Sequence, residues 1–72
     1  MEIHCKIKEI LNERGVKQTF VAKKAGVSLA AFNVLANNRG LPTLEVAYRI
    51  ADVLDLPVEE IWVKQNNSPV ST

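Results

Sequence analysis

The sequence predicts a small all-α domain, and three observations lead to that prediction. The chain has 72 residues, which allows one domain with a small core. Hydrophobic residues make up 47% of it and aromatic residues only 6%, a composition typical of compact helical domains. Apolar residues recur at helical spacing in five runs, which glycine, proline or turn-forming residues separate.

The first helix is expected over residues 6–14, where an apolar stripe recurs at helical spacing. The stripe consists of Ile7, Ile10 and Leu11. Gly15 follows in the position where glycine commonly ends a helix. Lys17 then occupies the N-cap position of the second helix, although lysine is a poor cap because its side chain has no acceptor atom.

Two short helices joined by a tight turn are predicted in the middle of the chain. The first of them covers residues 18–25, and Gly26 then fits a turn that needs a positive φ. Ser28 caps the other helix, which covers residues 28–36. Ala22 places a small side chain where the two helices cross, and a larger one would push them apart. Such a helix-turn-helix usually holds its second helix in the major groove of DNA.

Two further helices are predicted beyond a loop of turn-forming residues at positions 37–40. Thr43 is a good N-cap for the fourth helix, which is expected over residues 44–54. Its inward-facing residues are expected to be Leu44, Ala47, Ile50, Ala51 and Leu54. Pro57 opens the fifth helix at an early position, where a missing N–H costs nothing, and residues 61–62 close it. The core is expected to include Ile10, Val21, Phe32, Leu35, Ile50 and Leu54.

The two chain ends are expected to pair as a short antiparallel ribbon. Residues 2–5 alternate between apolar and polar side chains, and residues 62–65 are β-prone after the last helix. The domain is therefore predicted to span residues 1–65. Residues 66–72, with the sequence NNSPVST, are polar and without pattern, so we expect them to form a flexible tail.

Charge is distributed unevenly along the chain, although the net charge is only +1. The segment 14–44 carries five basic residues and no acidic one, and it includes the predicted helix-turn-helix. The segment 45–62 carries five acidic residues and a single arginine. One face of the domain therefore suits phosphate groups while the other keeps the protein soluble, the alternative being an ordinary solvated charge pattern.

The single histidine and the single cysteine are adjacent, which excludes the common catalytic arrangements. His4 and Cys5 point to opposite faces of a strand and diverge on a helix, so they cannot form a nucleophile–base pair. Neither has partner ligands for a metal. We expect no enzymatic activity and no cofactor, with Cys5 half-buried and His4 exposed. One cysteine, no signal peptide and no membrane span together predict a cytoplasmic protein without a membrane partner.

The motifs of this chain resemble the helix-turn-helix domains of the Cro and phage-repressor type, the XRE-like family. The residues that carry the resemblance are Gln18, Ala22, Gly26-Val27-Ser28, Phe32, Leu35, Asn37 and Pro42. It covers roughly residues 5–63 and implies a five-helix lambda-repressor-like fold. It also implies a sequence-specific transcriptional regulator that binds double-stranded DNA as a homodimer. Some small stand-alone members dimerise through a terminal ribbon. No small-molecule ligand is expected, because the chain has no room for a sensing domain.

The resemblance implies that DNA contacts come from the start of the second helix, the front of the third and the loop that follows. The residues concerned are Lys17, Gln18, Thr19, Ser28, Leu29, Ala30, Asn33, Val34, Asn37, Asn38 and Arg39. Gln18 and the adjacent helix N-terminus match a family phosphate contact, as do Asn37 and Arg39. Lys17 stands where the family usually has Ser or Thr.

The front of the third helix departs from the family pattern because it is unusually apolar. Of its expected base-reading residues, only Asn33 is able to hydrogen-bond a base edge, whereas the others contact thymine methyl groups at most. Ala36 stands where the family commonly has Glu, and Asn38 where it often has Gly. An exposed apolar patch more often marks a protein contact. The alternative function is therefore a protein–protein interaction module with the third helix in the interface.

Overall fold

The computed structural model describes residues 2–65, and its elements follow the predicted order. These elements are β1 (Glu2–Cys5), α1 (Ile7–Arg14), α2 (Gln18–Ala25), α3 (Leu29–Ala36), α4 (Leu44–Leu54), α5 (Val58–Ile61) and β2 (Trp62–Gln65). The five-helix fold and the pairing of the chain ends are thereby confirmed. The expected tail at residues 66–72 lies outside the described residues, and the domain boundary at residue 65 stays a prediction.

Local hydrogen bonds explain where several helices begin and end. Gly15 and Gly26 end α1 and α2 in the left-handed region, with φ values of 68° and 73°. Ser28 Oγ accepts a backbone N–H at 3.1 Å at the start of α3, and Thr43 Oγ1 accepts one at 3.3 Å at the start of α4. Lys17 makes no side-chain cap bond, as its chemistry predicts.

Every helix contributes a large, fully buried side chain to one apolar core. These side chains are Phe32, Ile7, Ile50, Ile61 and Val21. Helix α2 is central to the packing because it lies against both α3 and α4. Ala22 on this helix is only 2% exposed. A larger side chain there would overpack the core and cost about 1–3 kcal/mol of stability.

Two of the expected core residues lie elsewhere. Leu44 is 71% exposed, so the prediction that it faces inward is wrong. It is the first residue of α4, and helical side chains lean toward the N-terminus, so it extends beyond the edge of the core. Ile10 is only partly buried and packs at the rim of the core. Pro57 precedes α5 as its N-cap rather than lying within its first turn.

The ribbon at the chain ends is a two-stranded antiparallel sheet in which Cys5 pairs with Trp62. These two side chains reach the core and are 3% and 8% exposed, so the expectation that Cys5 is half-buried is wrong. Trp62 begins β2 rather than closing α5, because it pairs with β1. The backbone N–H of Lys6 also donates to the carbonyl of Ile61 at 2.7 Å, which extends the contact between the two ends.

The side-chain amide of Asn38 fastens β1 to the loop after α3. Its Oδ1 accepts the backbone N–H of Cys5 at 2.6 Å, and its Nδ2 donates to the Cys5 carbonyl at 3.5 Å. Asn38 has a φ of 61°, a left-handed conformation that asparagine tolerates better than most residues. Because the two residues are 33 positions apart, this contact closes the fold across α1, α2 and α3.

The Asn38→Gly variant should lose about 1–2 kcal/mol of unfolding free energy. The N–H of Cys5 loses its acceptor, while glycine keeps the positive φ. Asn38→Ala should lose about 1 kcal/mol more, because alanine resists this φ. Urea unfolding measures both losses. Alkylation of the Cys5 thiol by iodoacetamide should be faster in both variants, because β1 is held less firmly.

Asp55→Gly is the matched control, because Asp55 has a φ of 57° at the C-cap of α4. This variant should leave Cys5 alkylation unchanged and stability unchanged or slightly raised. If Asn38→Gly loses no more stability than Asp55→Gly, the amide bonds to Cys5 contribute nothing to folding.

Candidate nucleic-acid interface

The turn between α2 and α3 sets the direction in which α3 projects from the domain. The two helices meet at a bend of 114°, which lies in the range of helix-turn-helix motifs. Gly26 supplies the left-handed backbone of the turn. The N–H of Val27 donates to the carbonyl of Ala22 at 2.9 Å and closes it. The buried face of α3 therefore packs on the core while its opposite face is presented to solvent.

The exposed front of α3 contains all the predicted base-reading residues. Leu29 is 43% and Val34 42% exposed, and Ala30 and Asn33 are exposed as well. Positions three and four apart share one face of a helix, so these residues form one continuous surface. Asn33 is the polar residue among them. Ser28, at the helix N-cap, is exposed, but its hydroxyl already accepts a backbone N–H.

The start of α2 is suited to binding an anion. Lys17 and Thr19 are exposed, and Gln18 is half-buried at the first helical position. No acidic residue lies in the first turn of α2. The backbone N–H groups that begin a helix carry partial positive charge, so this end attracts a phosphate rather than a cation.

The loop after α3 brings the three remaining candidates together but gives them different tasks. Asn37 Nδ2 donates to the carbonyl of Asn33 at 2.8 Å, which fixes the Asn37 amide against the end of α3. Asn38 uses its amide to hold Cys5, a structural role that the sequence did not indicate. Arg39 is exposed, and its backbone N–H donates to the carbonyl of Val34 at 2.9 Å.

Lys8 is a further residue of this surface that the sequence did not indicate. It is exposed on α1, and its Nζ donates to Asn37 Oδ1 at 2.9 Å. The two residues are 29 positions apart, so no local motif connects them. The positive charge of Lys8 is the one signal in the sequence that could have drawn attention to this residue.

The two ion pairs found among residues 2–65 lie outside the predicted contact residues. Arg49 Nη2 lies 2.8 Å from Glu45 Oε2 on α4, and His4 Nε2 lies 3.3 Å from Glu9 Oε2 between β1 and α1. A hydrogen bond from its own backbone N–H, together with His4, holds the pKa of the Glu9 carboxyl below its ordinary value. The basic side chains at the start of α2 and after α3 are thus spared local neutralisation by these carboxylates.

His4 and Cys5, whose side chain types are common in catalysis, do not form a site together. Burial raises the pKa of the Cys5 thiol, which makes it a poor nucleophile, and His4 is only partly exposed beside Glu9. Residues 2–65 contain no group of three His, Cys, Asp or Glu side chains that could hold a metal ion. In the same range, no single helix is long and apolar enough to cross a membrane, and only the bent pair of α2 and α3 passes that test by length and composition.

Comparison with known proteins finds a family model and a relative that match this chain. The family model described as Helix-turn-helix matches residues 7–61. The cryptic phage CTXphi transcriptional repressor RstR of Vibrio cholerae serotype O1 is similar to this chain, with 35% identity over 69 residues. The aligned region covers 86% of this chain and 62% of that protein, so the chain spans less than two thirds of the relative's length.

Proposed function

Because the chain belongs to the helix-turn-helix family of Cro- and phage-repressor-type DNA-binding regulators, we propose that α3 lies in the major groove and α2 positions it. The observation that carries this proposal is the exposed surface formed by the start of α2, the front of α3 and the loop after it, three segments that contain no acidic residue. Regulation of transcription is not typically an enzymatic activity. As a regulator of DNA, the protein would work in the cytoplasm.

Contacts to the DNA backbone come from both ends of this surface. Lys17, Gln18 and Thr19 approach one phosphate group at the start of α2, where the helix dipole favours an anion. Asn37 and Arg39 approach another beyond the end of α3. Such contacts fix the register of the protein on the duplex and carry no sequence information themselves. Asn38 belongs to this region through its backbone, because its amide is bound to Cys5.

Contacts to base edges come from the front of α3. Asn33 is suited to a bidentate hydrogen bond with adenine, and its side chain is exposed. Leu29, Ala30 and Val34 are suited to thymine methyl groups, and Ser28 lies at the edge of this surface. The combination favours A·T-rich half-sites, with DNA shape supplying further discrimination.

A second candidate function is a protein–protein interaction module in which the front of α3 forms the interface. The specific observation in its favour is the exposure of Leu29 and Val34, which is 43% and 42% on a helix that is apolar throughout. The absence of acidic residues from the segment 14–44 favours the DNA function, because a protein interface does not require it.

We also propose that the regulator is a homodimer, which would match a pseudo-palindromic operator. The surface that supports this is an apolar patch formed by Leu41, Leu44 and Tyr48, which are 65%, 71% and 57% exposed. Leu44 and Tyr48 lie four positions apart on one face of α4. The patch directly follows the loop after α3 along the chain.

Arg39→Ala should weaken binding to every DNA duplex. It should also reduce the magnitude of the slope of log K against log salt concentration by about 0.9. Asn33→Ala should instead relax the preference at one base pair, by about 1–3 kcal/mol of discrimination. Fluorescence anisotropy with selected and mixed duplexes at several salt concentrations measures both. Arg49→Ala is the charge-matched control, because Arg49 is outside the set of proposed contact residues and pairs with Glu45. Equal effects of the two arginine variants would contradict the proposed phosphate contact.

Val34→Asp distinguishes the two candidate functions. On the DNA proposal the new carboxylate faces phosphates, so DNA binding should fall at least tenfold while the sedimentation coefficient stays unchanged. If the front of α3 is instead a protein interface, the variant should lose self-association or partner capture, and salt concentration should have little effect on that association. Loss of self-association with DNA binding intact would favour the second candidate.

Leu44→Glu should convert the proposed dimer to a monomer, because it places a charge in the centre of the apolar patch. Sedimentation velocity at micromolar concentration measures the change. Phe20→Glu is the control, since Phe20 is 54% exposed on α2 outside the patch. A dimer that survives Leu44→Glu would exclude this patch and direct attention to the β1–β2 ribbon.

A further inference from the structure

Lys8 lies where two parts of the proposed DNA surface meet, although it belongs to α1. Its ammonium group donates to Asn37 Oδ1 at 2.9 Å. The Asn37 amide in turn donates to the carbonyl of Asn33 at 2.8 Å. A chain of hydrogen bonds therefore runs from α1 to the residue of α3 that we propose to read a base.

Lys8 also borders the other half of the surface. It lines a groove between α1 and α2 together with Val16 and Gln18. On its other side it lines a shallow depression together with Asn37 and Asn38. The side chain thus stands between the start of α2 and the loop after α3, the two places from which we propose phosphate contacts.

Most of the remaining hydrogen-bonding capacity at this position consists of N–H donors, beside one unused lone pair of Asn37 Oδ1. A lysine ammonium has three N–H donors and an asparagine amide has two. One donor of Lys8 and one of Asn37 are used in the bonds above, so three are left between them. Glu9 borders the same depression, but its carboxylate is engaged with His4 at 3.3 Å. A lysine ammonium beside unused N–H donors suits an anion with several acceptor oxygens, as a phosphate group has.

We propose that Lys8 binds a DNA backbone phosphate between those approached by Gln18 and Asn37, and that it orients the Asn37 amide toward the DNA. This proposal rests on the proposed function, since it assigns one more residue to the same surface. Lys8 is then a positioning residue: it carries no sequence information, but it fixes the end of α3 relative to the backbone.

The test measures DNA binding by fluorescence anisotropy at several salt concentrations, with a duplex selected by the wild-type protein. Lys8→Met should weaken binding about five- to tenfold at 0.1 M salt and lower the salt slope by about 0.9, the effect of one lost phosphate contact. Lys8→Arg should keep the salt slope, because the charge remains. Both variants should unfold at the wild-type urea concentration, because residue 8 is exposed.

Lys6→Met is the matched control, because it removes the same charge two positions away. Lys6 is exposed, and it borders a different depression, together with Glu13 and Glu60. Its salt slope should equal that of the wild type. A Lys8→Met slope equal to the Lys6→Met slope would overturn the proposal, because the charge of Lys8 would then act only at long range.

Coupling to Asn37 tests the positioning role separately. Asn37→Ala and Lys8→Met should together weaken binding less than the product of their separate effects, since each disturbs the same contact. Fully multiplicative effects would overturn the positioning role. If the wild-type protein binds no duplex at low salt, both this inference and the proposed function fail. If it binds and only the Lys8 variants behave like the control, this inference alone fails.

Discussion

The tight turn at Gly26 is the constraint on which the rest of this domain depends. Its left-handed backbone changes the direction of the chain within three residues. The buried Ala22 allows α2 to pack closely against its neighbours. The resulting bend of 114° buries Phe32 of α3 and exposes the opposite face of that helix. The surface assigned to DNA is thus a by-product of core packing: whatever residues lie on that face are presented outward by the same geometry.

The ribbon and the loop after α3 show how a small chain closes its fold with few contacts. The core includes Cys5 and Trp62, which come from opposite ends of the chain and meet only because β1 pairs with β2. Asn38 then secures β1 to the end of α3 through two bonds from one amide. In place of the carboxylate that the family commonly has at position 36, a buried alanine sits at the end of α3 and a neutral amide anchors the loop. The loop after α3 is thus anchored by the neutral amide of Asn38, which bonds to the backbone of Cys5.

An apolar recognition surface changes how specificity would be achieved. On the proposed function, Leu29 and Val34 would supply methyl contacts, each worth little discrimination, so register on the duplex would matter more than it does for a helix rich in hydrogen-bonding side chains. Register depends on backbone contacts, and these come from several elements. The hydrogen bonds from Lys8 to Asn37 and from Asn37 to Asn33 connect a proposed contact to the DNA backbone with the proposed polar base-reading residue. On this proposal, positioning and base reading would be joined through these two bonds.

The sequence by itself determined the order of the helices, the ends of the first four to within one residue, and the outward face of α3. These features depend on residues within about four positions of each other, as at Ser28, Gly26 and Thr43, so local chemistry reveals them. It also determined the resemblance that pointed to DNA. Only the tertiary structure decided the burial of Cys5, the exposure of Leu44 and the partners of Asn38 and Lys8. The partners of Lys8 and Asn38 lie 29 and 33 positions away along the chain, and no local pattern encodes such contacts.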